Sequence, residues 1–280
     1  MNKLINSMLL ETDEKVILKR SSLWNMVASV LNSVLSSILL FVITRVSNVN
    51  TAGMFSIASA IAYQCLSLGN FGSRNFQVSD VNKEYSFSDY FFIKVLSGTL
   101  MYGMLLYYAF GSGYTLEKAL VVLTFGLFKS VDAIEDVYHG EYHRNNRLDI
   151  AAVLLTFRYF IAILTFVVVF CITHNLIITS IISTITTVMI AIIENKDLIK
   201  YFVHEKIHFH YQKFKNLLFI LIPICISNYV KMYACNLPKY AIDATLTSEL
   251  QTYFNVLIMP VFIINLLSDV IFRPFIHNFL

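Results

Sequence analysis

Four charges crowd one short stretch of an oily chain. In FGLFKSVDAIEDVYHG, residues 125–140, Lys129, Asp132, Glu135 and Asp136 fall within eight positions, directly after an apolar run. Lys129, Asp132 and Asp136 follow i, i+3, i+7 spacing, which on a helix gathers them on one face and leaves Val121, Leu123 and Phe125 on an apolar side. Cations and carboxylates so grouped can attract an anion or carry a proton or metal ion. Two more cations join them as candidates: Arg158, inside a long uncharged run, and Lys231, in a later one. HEKIH at 204–208 has the spacing of a zinc protease, two His one helical turn apart with a Glu as base.

What these groups can do depends on their solvent. Of 280 residues, 57% are hydrophobic and 14% charged, about half the charged share of an ordinary soluble domain. The composition is that of a membrane protein. Residues 21–44 hold no charge and exceed the roughly 20 residues that span a hydrocarbon core. Twenty polar and mixed residues precede them without a small-residue cleavage site, so this helix is expected to be retained rather than removed as a signal peptide. Cys65, Cys171, Cys225 and Cys235 lie in apolar runs without metal-type spacing and read as small packing residues.

Further spans are expected at 52–73, 90–111 and 116–138. From Tyr159 to Ile193 no residue is charged; the run is too long for one span and too short for two plus a turn. THN at 173–175 must therefore be the turn, and counting a full span back from Thr173 draws Arg158 into the membrane. Helix six then covers 176–194, a basic link 195–215, and two more helices 216–236 and 250–272. The fold class is an all-α polytopic bundle of about eight transmembrane helices, divided as 1–194, a six-helix lobe; 195–215, a cytoplasmic linker; and 216–280, a partial second lobe.

Of the 21 Lys and Arg, fourteen fall on the side shared with the N-terminus, and only Arg45, Lys118 and Lys239 on the other; Lys94, Lys129, Arg158 and Lys231 lie within helices. The bias sets a cytoplasmic N-terminus. The outer connections are too short for an external catalytic domain. HEKIH lies in the basic link with no assignable third ligand. Ile199, Val203, Ile207, His210 and Phe214 share a helical face there, so the link is expected to be an amphipathic helix on the inner membrane surface. No catalytic residue, metal or cofactor is assigned.

Charge at membrane depth costs a few kcal/mol and marks a bundle interior or an aqueous path. Lys129 and Arg158 lie roughly 20 to 22 Å below the outer ends of their helices at 1.5 Å per residue, and so share a level. The simpler alternative has Asp132, Glu135 and Asp136 emerging among headgroups with Lys129 snorkelling after them; Lys231, near an outer helix end, could snorkel as well. The residues alone indicate a transporter for something anionic.

Three stretches resemble a known family: residues 53–90 (GMFSIASAIAYQCLSLGNFGSRNFQVSDVNKEYSFSDY), 132–151 (DAIEDVYHGEYHRNNRLDIA) and 236–243 (NLPKYAID). They resemble the flippases that export lipid-linked repeat units for O-antigen or capsule, members of the multidrug, oligosaccharidyl-lipid and polysaccharide exporter superfamily. The resemblance implies two six-helix lobes around a central cavity and alternating access, in a bacterial inner or plasma membrane. It implies an undecaprenyl-diphosphate-linked oligosaccharide as substrate, with membrane lipids and polysaccharide-assembly proteins as partners, no nucleic acid and no enzymatic reaction. By the same resemblance Lys129, Arg158 and Lys231 would meet the diphosphate, and Asp132, Glu135 and Asp136 would balance them or carry coupling ions.

Length is the departure. A full member would have twelve or more helices, whereas here FRPFIHNFL ends the chain after the eighth. Truncation is the expectation, with completion by partner chains as the alternative. A drug or small-cation exporter of the same superfamily is the competing function, along with a fragment that transports nothing; a cation exporter would favour an acidic cavity, and the shared level is basic.

Overall fold

A computed structural model describes residues 2–80, 82–258, 260, 261 and 264. The described residues contain helices and no strand. In order they are α1 (Asn2–Leu9), α2 (Glu14–Val46), α3 (Val49–Asn70), α4 (Ser73–Ser79), α5 (Phe87–Gly111), α6 (Leu116–Arg144), α7 (Leu148–Thr173), α8 (Leu176–Leu198) and α9 (Tyr211–Thr245). A helical stretch at 248–258 follows. Helices satisfy every backbone group within one segment, as a chain crossing lipid must.

Among the described residues, six stretches are long and apolar enough to cross a membrane: Glu14–Val46, Val49–Ser79, Phe87–Gly111, Leu148–Thr173, Leu176–Tyr201 and Tyr211–Thr245. This is a multi-pass membrane protein with an all-α bundle. At 29 residues α6 has the length but carries too many charges to join them. It tolerates those charges by its position: α6 packs against α3, α4, α5, α7 and α8, so it is surrounded by protein.

Local signals end the helices where the chain turns. Asn48, Thr115 and Asn175 each accept a backbone N–H at the start of α3, α6 and α8. Ser86 and Asp89 form a reciprocal capping box on α5. His174 adopts a left-handed conformation, φ 49°, and closes α7 in the THN turn. The main core joins α2, α3, α5, α6 and α7 through Leu39, Ile43, Phe55, Leu105, Phe125 and Phe166. Phe55 meets the ring of Phe125 edge-on at 5.0 Å.

Three expectations change. The linker is not an amphipathic helix: α8 runs to Leu198, one 3-10 turn covers Ile199–Tyr201, and 202–210 is non-helical. Its apolar side still packs, because Ile199, Val203 and Phe214 lie against the cluster of Phe71, Leu217 and Leu221. Phe209, though half exposed, meets Phe92 at 4.9 Å, and the His208 N–H reaches Ser88 Oγ. These contacts favour an extended path over a helix. Secondly, helix seven is not limited to 216–236, since α9 continues through Pro238 to Thr245 and takes Lys239 out of the expected loop and into the helix. Proline is tolerated where neighbouring helices support the freed carbonyl. Thirdly, Cys171 and Cys235 are exposed and only Cys65 and Cys225 are packing residues. Most of the expected helix 250–272 lies outside the described residues.

Candidate functional site

The charged side of α6 points into the bundle. Lys129 is 1% exposed and Arg158 2%, so neither snorkels. Asp132 lies between them. It pairs with Lys129 one turn earlier on α6 and accepts the Arg158 guanidinium, from α7, at 2.6 Å. Arg158 also turns its Nε toward Glu135, 2.5 Å away. The other Glu135 oxygen accepts a hydrogen bond from the Asn195 side-chain amide on α8 at 2.9 Å, and Tyr142 donates to Asn195 Oδ1 at 2.8 Å. Three helices are thereby joined around two cations and two carboxylates. Aromatic faces complete the enclosure: Lys129 Nζ lies 4.8 Å from the Tyr63 ring centre, and the Arg158 guanidinium 5.0 Å from that of Tyr159.

Asp136 belongs to a second cluster. Lys94 on α5 pairs with it at 2.7 Å, and the more exposed Arg74 on α4 at 3.5 Å. Lys94 also donates to the Asn70 carbonyl at 3.0 Å, while Ser97 donates to that of Gly69 at 2.8 Å. These are carbonyls at the C-terminal end of α3, where Phe71 (φ 53°) and Gly72 (φ 67°) turn left-handed and interrupt the helix. A buried ammonium there satisfies carbonyls that no helical N–H reaches and lies at the negative end of the helix dipole.

Toward the end of α6, Gln77 donates to Glu141 at 3.0 Å, and Arg144 reaches the same carboxylate at 3.5 Å. Asp149, at the start of α7, is held by Arg20 at 2.6 Å and by Arg147, which also donates to the Met8 carbonyl and so fixes α1 in place.

Of the residues singled out by sequence, Lys129, Arg158, Asp132 and Glu135 come together in one cluster. Asp136 stands in the neighbouring one, and Lys231 is exposed on α9. Of the three α6 carboxylates singled out, Glu135 is buried and Asp132 and Asp136 are largely covered. The two His of HEKIH share no helical face, because their segment is non-helical. Sequence reasoning passed over Lys94, Arg74, Asn195 and Glu194. Lys94 carried a signal, as a charge eight residues into a helix of spanning length; Glu194 and Asn195 end the uncharged run that precedes the linker.

As described, the first cluster is a closed ion-pair network. An anion reaches Lys129 or Arg158 only by displacing a carboxylate, which makes the arrangement suited to exchanging partners rather than to standing open as an anion site.

The chain is 22% identical over 222 residues to the capsular polysaccharide biosynthesis protein CapF of Staphylococcus aureus. The match covers 78% of this chain and 54% of that protein, so the chain spans about half the length of this relative. No family model and no solved structure matches. The apolar helices of spanning length make the chain a multi-pass membrane protein, with a distant likeness to that capsule biosynthesis protein.

Proposed function

We propose that this chain belongs to an exporter that moves undecaprenyl-diphosphate-linked oligosaccharide repeat units across a bacterial inner or plasma membrane by alternating access. The observation that carries the reading is the ion-pair network buried on α6, at the centre of a bundle whose sequence resembles a capsular polysaccharide biosynthesis protein. Dry, paired charges at membrane depth are expensive to maintain and serve ion or substrate movement where they occur. Arg158 and Lys129 offer charge-assisted hydrogen bonds to a diphosphate once Asp132 gives way. Lys231, already exposed, would meet the head group without rearrangement. The N-terminus is cytoplasmic in this reading, which the distribution of Lys and Arg supports.

The test is export in cells whose own repeat-unit exporter has been deleted. The chain, supplied within the longest reading frame that contains it, should restore surface polysaccharide. Arg158→Gln at matched expression should reduce it and leave lipid-linked intermediates on the cytoplasmic side. If polysaccharide is not restored while resistance to cationic drugs rises, the drug-exporter reading replaces this one.

A further inference from the structure

Glu194 is the one member of the α6–α7–α8 cluster to which no partner is assigned. It lies on α8, is 3% exposed, and neither carboxylate oxygen has a hydrogen-bond partner among the described residues. It precedes Asn195, which holds Glu135, and it interacts electrostatically with Glu135 and Arg158. The cluster therefore contains three carboxylates, Asp132, Glu135 and Glu194, and two cations, Lys129 and Arg158. Both cations are already engaged by Asp132 and Glu135. The enclosure is one positive charge short.

A bare carboxylate in a dry interior is among the costliest groups to bury. The lengths of Lys129 and Arg158 are already spent on other oxygens. We propose that Glu194 binds one monovalent cation, a proton or an alkali ion, which supplies the missing charge. The helices packed against α8 are α6 and α7. The charged and titratable groups on these helices that interact with Glu194 are Arg158 from α7 and Glu135 and Tyr142 from α6; Asp132 and His139 stand one contact away, on Arg158 and Glu135. Tyr142 is engaged as a donor to Asn195. Among the described residues of the cluster, His139 is a rival source of charge: its Nε2 lies 3.7 Å from Glu135 and makes no hydrogen bond.

As the coupling ion of the exporter, this cation rests on the function proposed above; as a bound ion, it does not. The experiment counts ions on the purified chain in lipid nanodiscs. Protons bound between about pH 5 and about pH 9, above the range of an ordinary carboxylate, are measured by back titration, and radioactive sodium by equilibrium dialysis at fixed pH. Wild type should exceed Glu194→Gln by one equivalent per chain in one of the two measurements, and the measurement that changes identifies the ion. His139→Gln should retain the Glu194-dependent equivalent. Equal counts for wild type and Glu194→Gln in both measurements overturn the proposal, as does loss of the Glu194-dependent equivalent in His139→Gln. Ion binding without export in cells would sink the exporter reading and leave the site standing.

Discussion

Asp132 on α6 holds the Arg158 guanidinium of α7 at 2.6 Å while pairing with Lys129 on its own helix. One carboxylate thus answers two buried cations, and that asymmetry orders the expected mutational effects. Asp132→Asn leaves Lys129 without its carboxylate and Arg158 with Glu135 alone, and should cost about 3–5 kcal/mol, the usual penalty for breaking a buried pair. Lys129→Gln should cost less, because Asp132 keeps Arg158. Lys129→Gln combined with Asp132→Asn removes one charge of each sign and should be more stable than Asp132→Asn alone. Denaturation in mixed detergent, following loss of helical circular dichroism, measures the order. If the double variant also exports normally, the Lys129 charge serves only its pair and not a substrate.

Gly53 and Gly98 are both helical, with opposite surroundings. A Cβ at Gly53 would stand 2.0 Å from the backbone oxygen of Ser248, whereas one at Gly98 meets nothing within 4 Å. That close approach seats the stretch 248–258 on α3, where Thr252 Oγ1 donates to the Val49 carbonyl at 2.9 Å. Gly53→Ala should therefore lower the thermal midpoint clearly. Gly98→Ala should leave it unchanged or raise it, since alanine favours a helix over glycine by about 1 kcal/mol.

That Lys129 and Arg158 share a level, as their common partner Asp132 shows, was legible in the sequence because a helix rises a fixed distance per residue. The Lys129–Asp132 pair was legible for a similar reason, being a neighbour relation within one helix. Pairings between helices were not. That Lys94 answers Asp136, or that Asn195 holds Glu135, depends on how each helix is rotated about its axis. Uncharged runs such as 176–193 look alike from every side. The linker misled in the opposite way: Ile199, Val203, Ile207 and Phe214 do fall at helical spacing, yet tertiary contacts of Phe209 and His208 with α5 outweigh a periodic pattern in so short a segment.

Orientation has a direct test. Asn48 and Ser112 lie in exposed turns after α2 and α5, and Glu205 in the exposed linker. In a chain freed of its own cysteines, a Cys at Asn48 or Ser112 should react with an impermeant maleimide in intact cells, and a Cys at Glu205 only after lysis. The reverse pattern would invert the proposed topology.

Lys118 at the start of α6 and Asp243 near the end of α9 pair at 2.5 Å, with Tyr114 donating to the same carboxylate at 2.7 Å. This pair is the charged tie between α9 and the α5–α6 corner. Asp243→Lys should loosen the end of α9 by like-charge repulsion and raise proteolysis at Leu246–Ser248. Adding Lys118→Asp should reverse much of that change. Equal protease sensitivity in wild type and both variants would show that packing against α3 holds α9 without the pair.

Lys94 presents the sharpest separation of charge from hydrogen bonding. It is 4% exposed, pairs with Asp136 and donates to the Asn70 carbonyl where α3 ends. Lys94→Met removes both interactions, leaving the Asn70 carbonyl uncapped and Asp136 to the longer contact with Arg74 at 3.5 Å. It should cost about 3–5 kcal/mol. Lys94→Gln can still donate one hydrogen bond to a carbonyl but supplies no charge, so it should fall between Met and wild type. Asp136→Asn then divides the two roles. In the Lys94→Gln background it removes the stranded carboxylate and should restore stability; in the Lys94→Met background it cannot supply the missing donor and should restore less. Equal recovery in both backgrounds would mean that Lys94 is retained for its ion pair alone, and that the interruption of α3 at Phe71 and Gly72 stands without it.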